Sequence, residues 1–113
     1  MNDCIFCKII KGEIPSTKIY EDDEFLAFDD IRPVAPVHIL VIPKKHIPSL
    51  MHMEAEDIGM AGRLLHKAKE LAWDNCGKKG ARFVVNAGRH GGQTVDHLHI
   101  HVLGGRALIW PPG

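Results

Sequence analysis

Apolar residues in this chain cluster in short runs broken by turn formers, except for one central stretch with helical spacing. From about Glu54 to Trp73, residues Ile58, Ala61, Leu65, Ala68 and Ala72 recur three or four positions apart. Leu64 and Leu71 widen that stripe, Glu54, Glu56 and Asp57 crowd its start, and Lys67 and Lys69 follow, as a helix dipole favours. Gly77 is its expected stop. Gly59 and Gly62 interrupt the pattern and suggest close packing against a neighbour. A shorter helix is expected over Cys4 to Lys11, ended by Gly12 with Pro15 beyond it.

The remaining apolar pieces read as strands. Ile19-Tyr20 and Phe25-Leu26-Ala27-Phe28 flank the acidic run Glu21 to Glu24, which predicts a solvated hairpin turn. Arg32-Pro33-Val34-Ala35-Pro36 is a loop, because its prolines lack amide donors for a sheet. Strands are expected over His38–Ile42, Arg82–Asn86 and His97 to about Leu103, with a glycine-rich loop at Gly88–Gly92 and a non-helical tail at Trp110–Gly113. Hairpins with one long helix inserted predict an α+β domain with a mainly antiparallel sheet.

With 113 residues the chain fits one domain, spanning 1–113. Fourteen basic and fourteen acidic side chains cancel, which argues against long nucleic acids and anionic membranes as partners. The most apolar run, Ile39 to Ile42, is too short to span a bilayer. Met1-Asn2-Asp3-Cys4 has no basic stretch leading into a long apolar segment, so no secretory signal is expected. Three cysteines are too sparse for a disulfide scaffold, and a cytoplasmic location is the simplest expectation.

The chemistry concentrates in His97-Leu98-His99-Ile100-His101-Val102. Alternation puts three imidazoles on one sheet face and three apolar side chains on the other. Such a row suits either a zinc centre or phosphate chemistry. Just upstream, Asn86-Ala87-Gly88, Gly91-Gly92 and Gln93-Thr94 offer amide and hydroxyl donors, and glycines let backbone approach an anion. That neighbourhood favours a phosphate site.

These residues resemble the histidine-triad family. The likeness extends to Leu26–Ile31, Ala35–His38, Val41–His46, Val84–Asn86 and Gly91–Gln93, while Trp110-Pro111-Pro112-Gly113 is similar to the Hint branch of nucleoside phosphoramidases. The resemblance implies a HIT-like fold and a P–N bond hydrolase acting on purine nucleoside 5′-phosphoramidates. It implies His99 as a nucleophile that becomes nucleotidylated, His101 as a phosphate-binding neighbour and His38 as a supporting histidine. It further implies Asn86, Gly92 and Thr94 as phosphate-side donors, Thr94 standing where serine is usual and protonating the leaving group. Asp30 would hold the ribose, Phe28 and Ile31 the base, and Trp110 would reach a partner's site in a homodimer. No catalytic metal is needed. Dinucleoside-polyphosphate hydrolysis is the alternative chemistry, and a nucleotide-binding interaction module with a vestigial triad the alternative class. Without this context Phe28 and Ile31 read as core, Asn86 and Asp30 as turn formers, and His38 as a strand-start histidine.

Cys4-Ile5-Phe6-Cys7 is a second signal. Two thiols so spaced need two more ligands for a tetrahedral zinc. The family resemblance offers His46 and His97, which gives His97 a structural role within the triad. Cys76 has no evident partner in the sequence, and His52, His66 and His90 read as surface residues.

Overall fold

The computed structural model describes residues 3–113; Met1 and Asn2, part of the stretch read for a leader, lie outside them. The elements run α1 (Ile5–Ile10), β1 (Lys18–Glu21), β2 (Phe25–Asp29), β3 (Val37–Pro43), α2 (Ile58–Cys76), β4 (Arg82–Val84) and β5 (Ile100–Gly104). The five strands form one antiparallel sheet in the order β1-β2-β3-β5-β4. This is the α+β architecture expected from the pattern.

Each central strand divides its side chains between two layers. Phe25 and Ala27 of β2, Ile39 and Val41 of β3, and Ile100 and Val102 of β5 face α2, where Met60, Leu64, Ala68, Leu71 and Ala72 cover them. The alternate residues Leu26, Phe28, Leu40 and Ile42 pack with Phe6 and Ile9 of α1. Burial on both faces explains why β2 and β3 read as unbroken apolar runs rather than alternating ones.

Several boundaries differ from the sequence expectation. The long helix starts at Ile58 rather than Glu54, because Ala55–Asp57 form a separate 3-10 turn closed by reciprocal Glu54 and Asp57 side-chain bonds. It runs on to Cys76 and ends at Gly77, whose φ of 65° suits glycine. The fourth strand stops at Val84 instead of Asn86. The last strand begins at Ile100, so His97 and His99 precede the ladder although they keep the sidedness of the alternation. Among the described residues nothing beyond the adjoining helix backbone comes within 4 Å of where a Gly62 side chain would begin, so that glycine does not admit a close neighbour there. The acidic turn is organised by Asp22, whose Oδ1 accepts the amides of Glu24 and Phe25 at 2.8 and 2.7 Å.

Candidate functional site

The face of the sheet under α1 carries the histidines. His97 is fully buried, and His99 and His38 are nearly so at 5% and 6% exposure. Phe6 of α1 stands edge-on to His99 (5.2 Å between ring centroids), His97 (5.9 Å) and Phe28 (5.4 Å). The row is therefore a packed interior layer rather than a solvated polar face. Burial penalises the imidazolium form and pushes all four histidines of this face below the ordinary value, His97 and His101 to about 4.

The hydrogen bonds settle which nitrogen carries each proton. The Val34 amide can only donate, and it donates to His38 Nδ1 at 3.1 Å. Neutral His38 is thus protonated on Nε2, which lies 2.9 Å from His101 Nδ1 and 3.3 Å from Asp30 Oδ2. His101 accepts at Nδ1 and keeps its proton on Nε2. That Nε2 is buried with no hydrogen-bond partner among the described residues. Asp30, His38 and His101 also converge within 4.8 Å. With a proton on His38 Nε2 between them, they form a hydrogen-bond relay, not a metal cage.

His99 is polarised the opposite way. Its Nδ1–H donates to the His97 carbonyl at 2.6 Å, leaving a lone pair on Nε2. His99 and His101 line a cavity of about 580 Å³ with Thr94, Asp30, Ile31, Phe28, Phe6 and Ser16. A neutral imidazole lone pair beside an unpartnered N–H donor is suited to attack an electrophile while an oxyanion is held.

The two cysteines close a second cluster next to the triad. Cys4 Sγ lies 3.3 Å and Cys7 Sγ 3.6 Å from His97 Nδ1; Cys7 Sγ is 3.4 Å and His97 Nδ1 3.1 Å from His46 Nδ1. These four ligand atoms fall within 4.8 Å of one another and could hold a metal ion. His97 Nε2–H donates to the Pro43 carbonyl at 2.8 Å, which turns the Nδ1 lone pair toward the thiols. Among the described residues no cysteine is in a disulfide.

Of the residues singled out in the sequence, the structure brings His38, His97, His99, His101, Asp30, Phe28, Ile31 and Thr94 to one face, and Cys4, Cys7, His46 and His97 to one point. Asp30 Oδ1 accepts the Arg32 amide at 2.8 Å, and its Oδ2 lies 3.3 Å from His38 Nε2. Ile31 is 93% exposed at the cavity mouth. Asn86, Gly92 and Trp110 are not in the lining; Trp110 is 80% exposed, and Asn86 and Gly92 sit in the long connection before β5. Sequence reasoning missed Phe6, Ile9, Ile14 and Ser16. The apolar residues beside the two cysteines were a usable signal for Phe6, whereas nothing in the sequence distinguished Ser16.

Gln93 was also undervalued. Its Oε1 accepts the Gly88 amide at 2.9 Å, and its amino group donates to Pro48 O at 2.7 Å and Val95 O at 2.9 Å. All three bonds go to backbone, tying the glycine-rich loop to the segment after His46.

An antiparallel sheet with a buried histidine row on one face and a long helix on the other defines a histidine-triad domain. The comparisons agree. The family model described as the scavenger mRNA decapping enzyme C-terminal binding domain matches residues 3–107. An uncharacterized HIT-like protein of Synechocystis sp. is 54% identical over 98% of this chain and 97% of its own. A HIT family hydrolase from Legionella pneumophila superposes with a TM-score of 0.95 at 48% identity, covering 98% of this chain and all of that one. A histidine triad protein from Clostridium difficile gives 0.91 at 47% identity over 96% of both chains. This chain belongs to the HIT family.

Proposed function

We propose that the protein is a single-domain nucleotide hydrolase of the Hint type, cleaving the P–N bond of purine nucleoside 5′-phosphoramidates through a nucleotidyl-His99 intermediate. The observation that carries this reading is the opposed protonation of two neighbouring imidazoles in one cavity. His99 presents a lone pair on Nε2 and His101 presents an N–H on Nε2.

The chemistry runs as two displacements at phosphorus. His99 Nε2 forms a bond to the α-phosphorus as the bond to the amine breaks, while His101 Nε2–H holds a non-bridging oxygen. The Thr94 hydroxyl passes a solvent proton to the departing amine. Water then cleaves the P–N bond to His99, releasing the nucleoside monophosphate and restoring the neutral imidazole. His38 and Asp30 keep the His101 proton on the nitrogen that faces substrate. Phe28, Ile31 and the other apolar walls take the purine. Asn86 and Gly92 belong to this reading as phosphate-side donors.

Cys4, Cys7, His46 and His97 would hold a structural zinc. A tetrahedral zinc with bonds of ~2.0–2.3 Å separates its donors by roughly 3.3–3.8 Å, close to the spacing of these four atoms. Zinc supplies cross-linking of α1 to the triad segment, and no step of the reaction passes through it. A reducing compartment such as the cytoplasm suits these thiols. Among the described residues no helix is long and apolar enough to cross a membrane. In this reading the protein works as a homodimer, with exposed Trp110 reaching the other subunit's site.

Turnover of adenosine 5′-phosphoramidate by the purified protein tests the proposal. Release of AMP and ammonia supports it. Absence of that turnover together with cleavage of diadenosine polyphosphates would move the assignment to the alternative hydrolase.

A further inference from the structure

The loop that supplies the Val34 amide is held from outside by the chain that leaves β5. Val37 at the start of β3 pairs with Gly104 at the end of β5, so the loop 32–36 and the segment after Gly104 emerge side by side. Gly105 has a φ of 86°, and a Cβ built on it would stand 2.8 Å from Pro36 Cβ, so its backbone lies directly against that proline. Arg106 follows. Its guanidinium donates through Nη2 to the Val34 carbonyl at 3.0 Å and through Nη1 to the Ala107 carbonyl at 3.1 Å.

Val34 is thus fixed at both of its backbone polar groups, the amide on His38 Nδ1 and the carbonyl on Arg106. The loop transmits that hold, because Pro33 has a fixed φ, Pro36 restricts Ala35 before it, and neither proline has an amide to anchor the loop otherwise. The relay has a competing arrangement in which each proton sits on the opposite nitrogen. His38 would then carry Nδ1–H, His101 would donate from Nδ1 to His38 Nε2, and His101 Nε2 would be left without its proton. That arrangement sets His38 Nδ1–H against the Val34 N–H at 3.1 Å, two donors with no acceptor between them. The placement of one loop amide therefore decides which way the protons lie.

We propose that Arg106 is a positioning residue for the reaction, acting through Val34 to keep the His101 proton on Nε2. Its side-chain bonds go to backbone carbonyls, so it acts through the loop rather than on the reacting atoms. The consequence for catalysis rests on the nucleotide-hydrolase reading above, in which that proton holds a phosphate oxygen. The effect on the protons themselves does not depend on that reading.

Ring-nitrogen chemical shifts of histidine-labelled protein at mildly alkaline pH report which nitrogen of each neutral imidazole carries the proton. Wild type should show His38 and His101 as Nε2–H forms. Arg106→Ala should move the ratio of the two arrangements about tenfold toward the reversed one, the value of one hydrogen bond. Turnover should fall in proportion to the Nε2–H form that is lost, through kcat, with KM within about twofold of wild type. Arg106→Lys, which keeps a donor for the Val34 carbonyl, should lie between wild type and Arg106→Ala. Arg82→Ala is the control, since it frees the tail at Ile109 and leaves the Val34 carbonyl held; its ring signals should match wild type. Ring signals in Arg106→Ala identical to those of wild type, or an equal change in Arg82→Ala, would overturn the proposal. So would a loss of turnover in Arg106→Ala that lies in KM alone. Shifted protons in Arg106→Ala, beside a wild type that turns over no phosphoramidate, would sink the function proposed for the site and keep Arg106 as the residue that orients the relay.

Discussion

His38 Nε2 lies 2.9 Å from His101 Nδ1, and the Val34 amide on the far side of His38 fixes the direction of that bond. Protonation of either ring breaks the sequence of donors. Burial holds both below the ordinary histidine value, His101 at about 4. The folded protein therefore binds fewer protons than the unfolded chain, whose histidines titrate near ~6.5. Their contribution to stability is complete above about 6.5 and is lost as pH falls toward the folded value. Chemical denaturation of wild type should show stability declining between about pH 6.5 and 4, and His101→Gln should show a shallower decline. Identical pH slopes in the two proteins would refute the assignment.

Gln93 offers a prediction about the loop rather than the chemistry. Gln93→Glu replaces two donors with an oxygen facing the carbonyls of Pro48 and Val95. It should destabilise the fold by about 1–3 kcal/mol and raise KM more than it lowers kcat, because the loop loses its position but the triad keeps its protons. Urea unfolding and steady-state kinetics measure both. A variant as stable as wild type would mean the two lost donor bonds are replaced by water.

How much of this was legible in the sequence depends on which layer a residue serves. The α2 helix was readable from its period, but its buried face was only partly placed: Ile58 and Leu65 of the expected stripe are 68% and 56% exposed, and Met60, Leu64, Ala68, Leu71 and Ala72 cover the sheet. The row of histidines was readable because strand alternation persists through His97 and His99 even though the ladder starts only at Ile100. The relay was not, because its orientation is set by Val34, a loop amide with no sequence signature. The cluster of Cys4 and Cys7 with His46 and His97 was proposed through family likeness and is brought together by tertiary packing across up to 93 positions. The start of α2 was misplaced for a local reason: Glu54 and Asp57 cap a 3-10 turn, and acidic composition alone does not separate a cap from a first helical turn.

Metal removal probes the second cluster. Protein purified without chelator should contain about one zinc per chain. Cys4→Ser combined with Cys7→Ser should lose that metal and lower the melting temperature, while measurable turnover survives because His99 and His101 stay in place. Elemental analysis beside a thermal melt decides it. Wild type free of metal and fully stable would end the zinc assignment.

The tail gives a prediction about assembly. Ile109 and Trp110 are 81% and 80% exposed, and the Arg82 guanidinium holds the Ile109 carbonyl at 2.7 Å. Exposed rings of this size are commonly buried by a partner. Light scattering should report a dimer, and deleting Trp110 onward should change the ranking of substrates more than the melting temperature. An active monomer with unaltered preference after that deletion would remove the tail from the site.

The most exacting prediction concerns His99 itself. Its Nδ1–H is held by the His97 carbonyl, so only Nε2 is available to phosphorus. His99→Ala should cost several orders of magnitude in turnover. His99→Asn should cost as much while nearly preserving shape, so AMP should still bind. His101→Ala should be milder, about 3 kcal/mol, because it removes one stabiliser of developing charge and leaves the nucleophile. Thr94→Ala should slow poor leaving groups most, since a good one departs without a proton. These four patterns separate covalent catalysis from metal-assisted hydrolysis, in which substituting His99 or His101 would be equally damaging. Rapidly quenched wild type should carry an acid-labile nucleotidyl label that maps to His99 and is absent from both His99 variants. Label on another residue, or near-normal turnover by His99→Ala, would falsify the nucleophile assignment and return the metal-hydrolase alternative to first place.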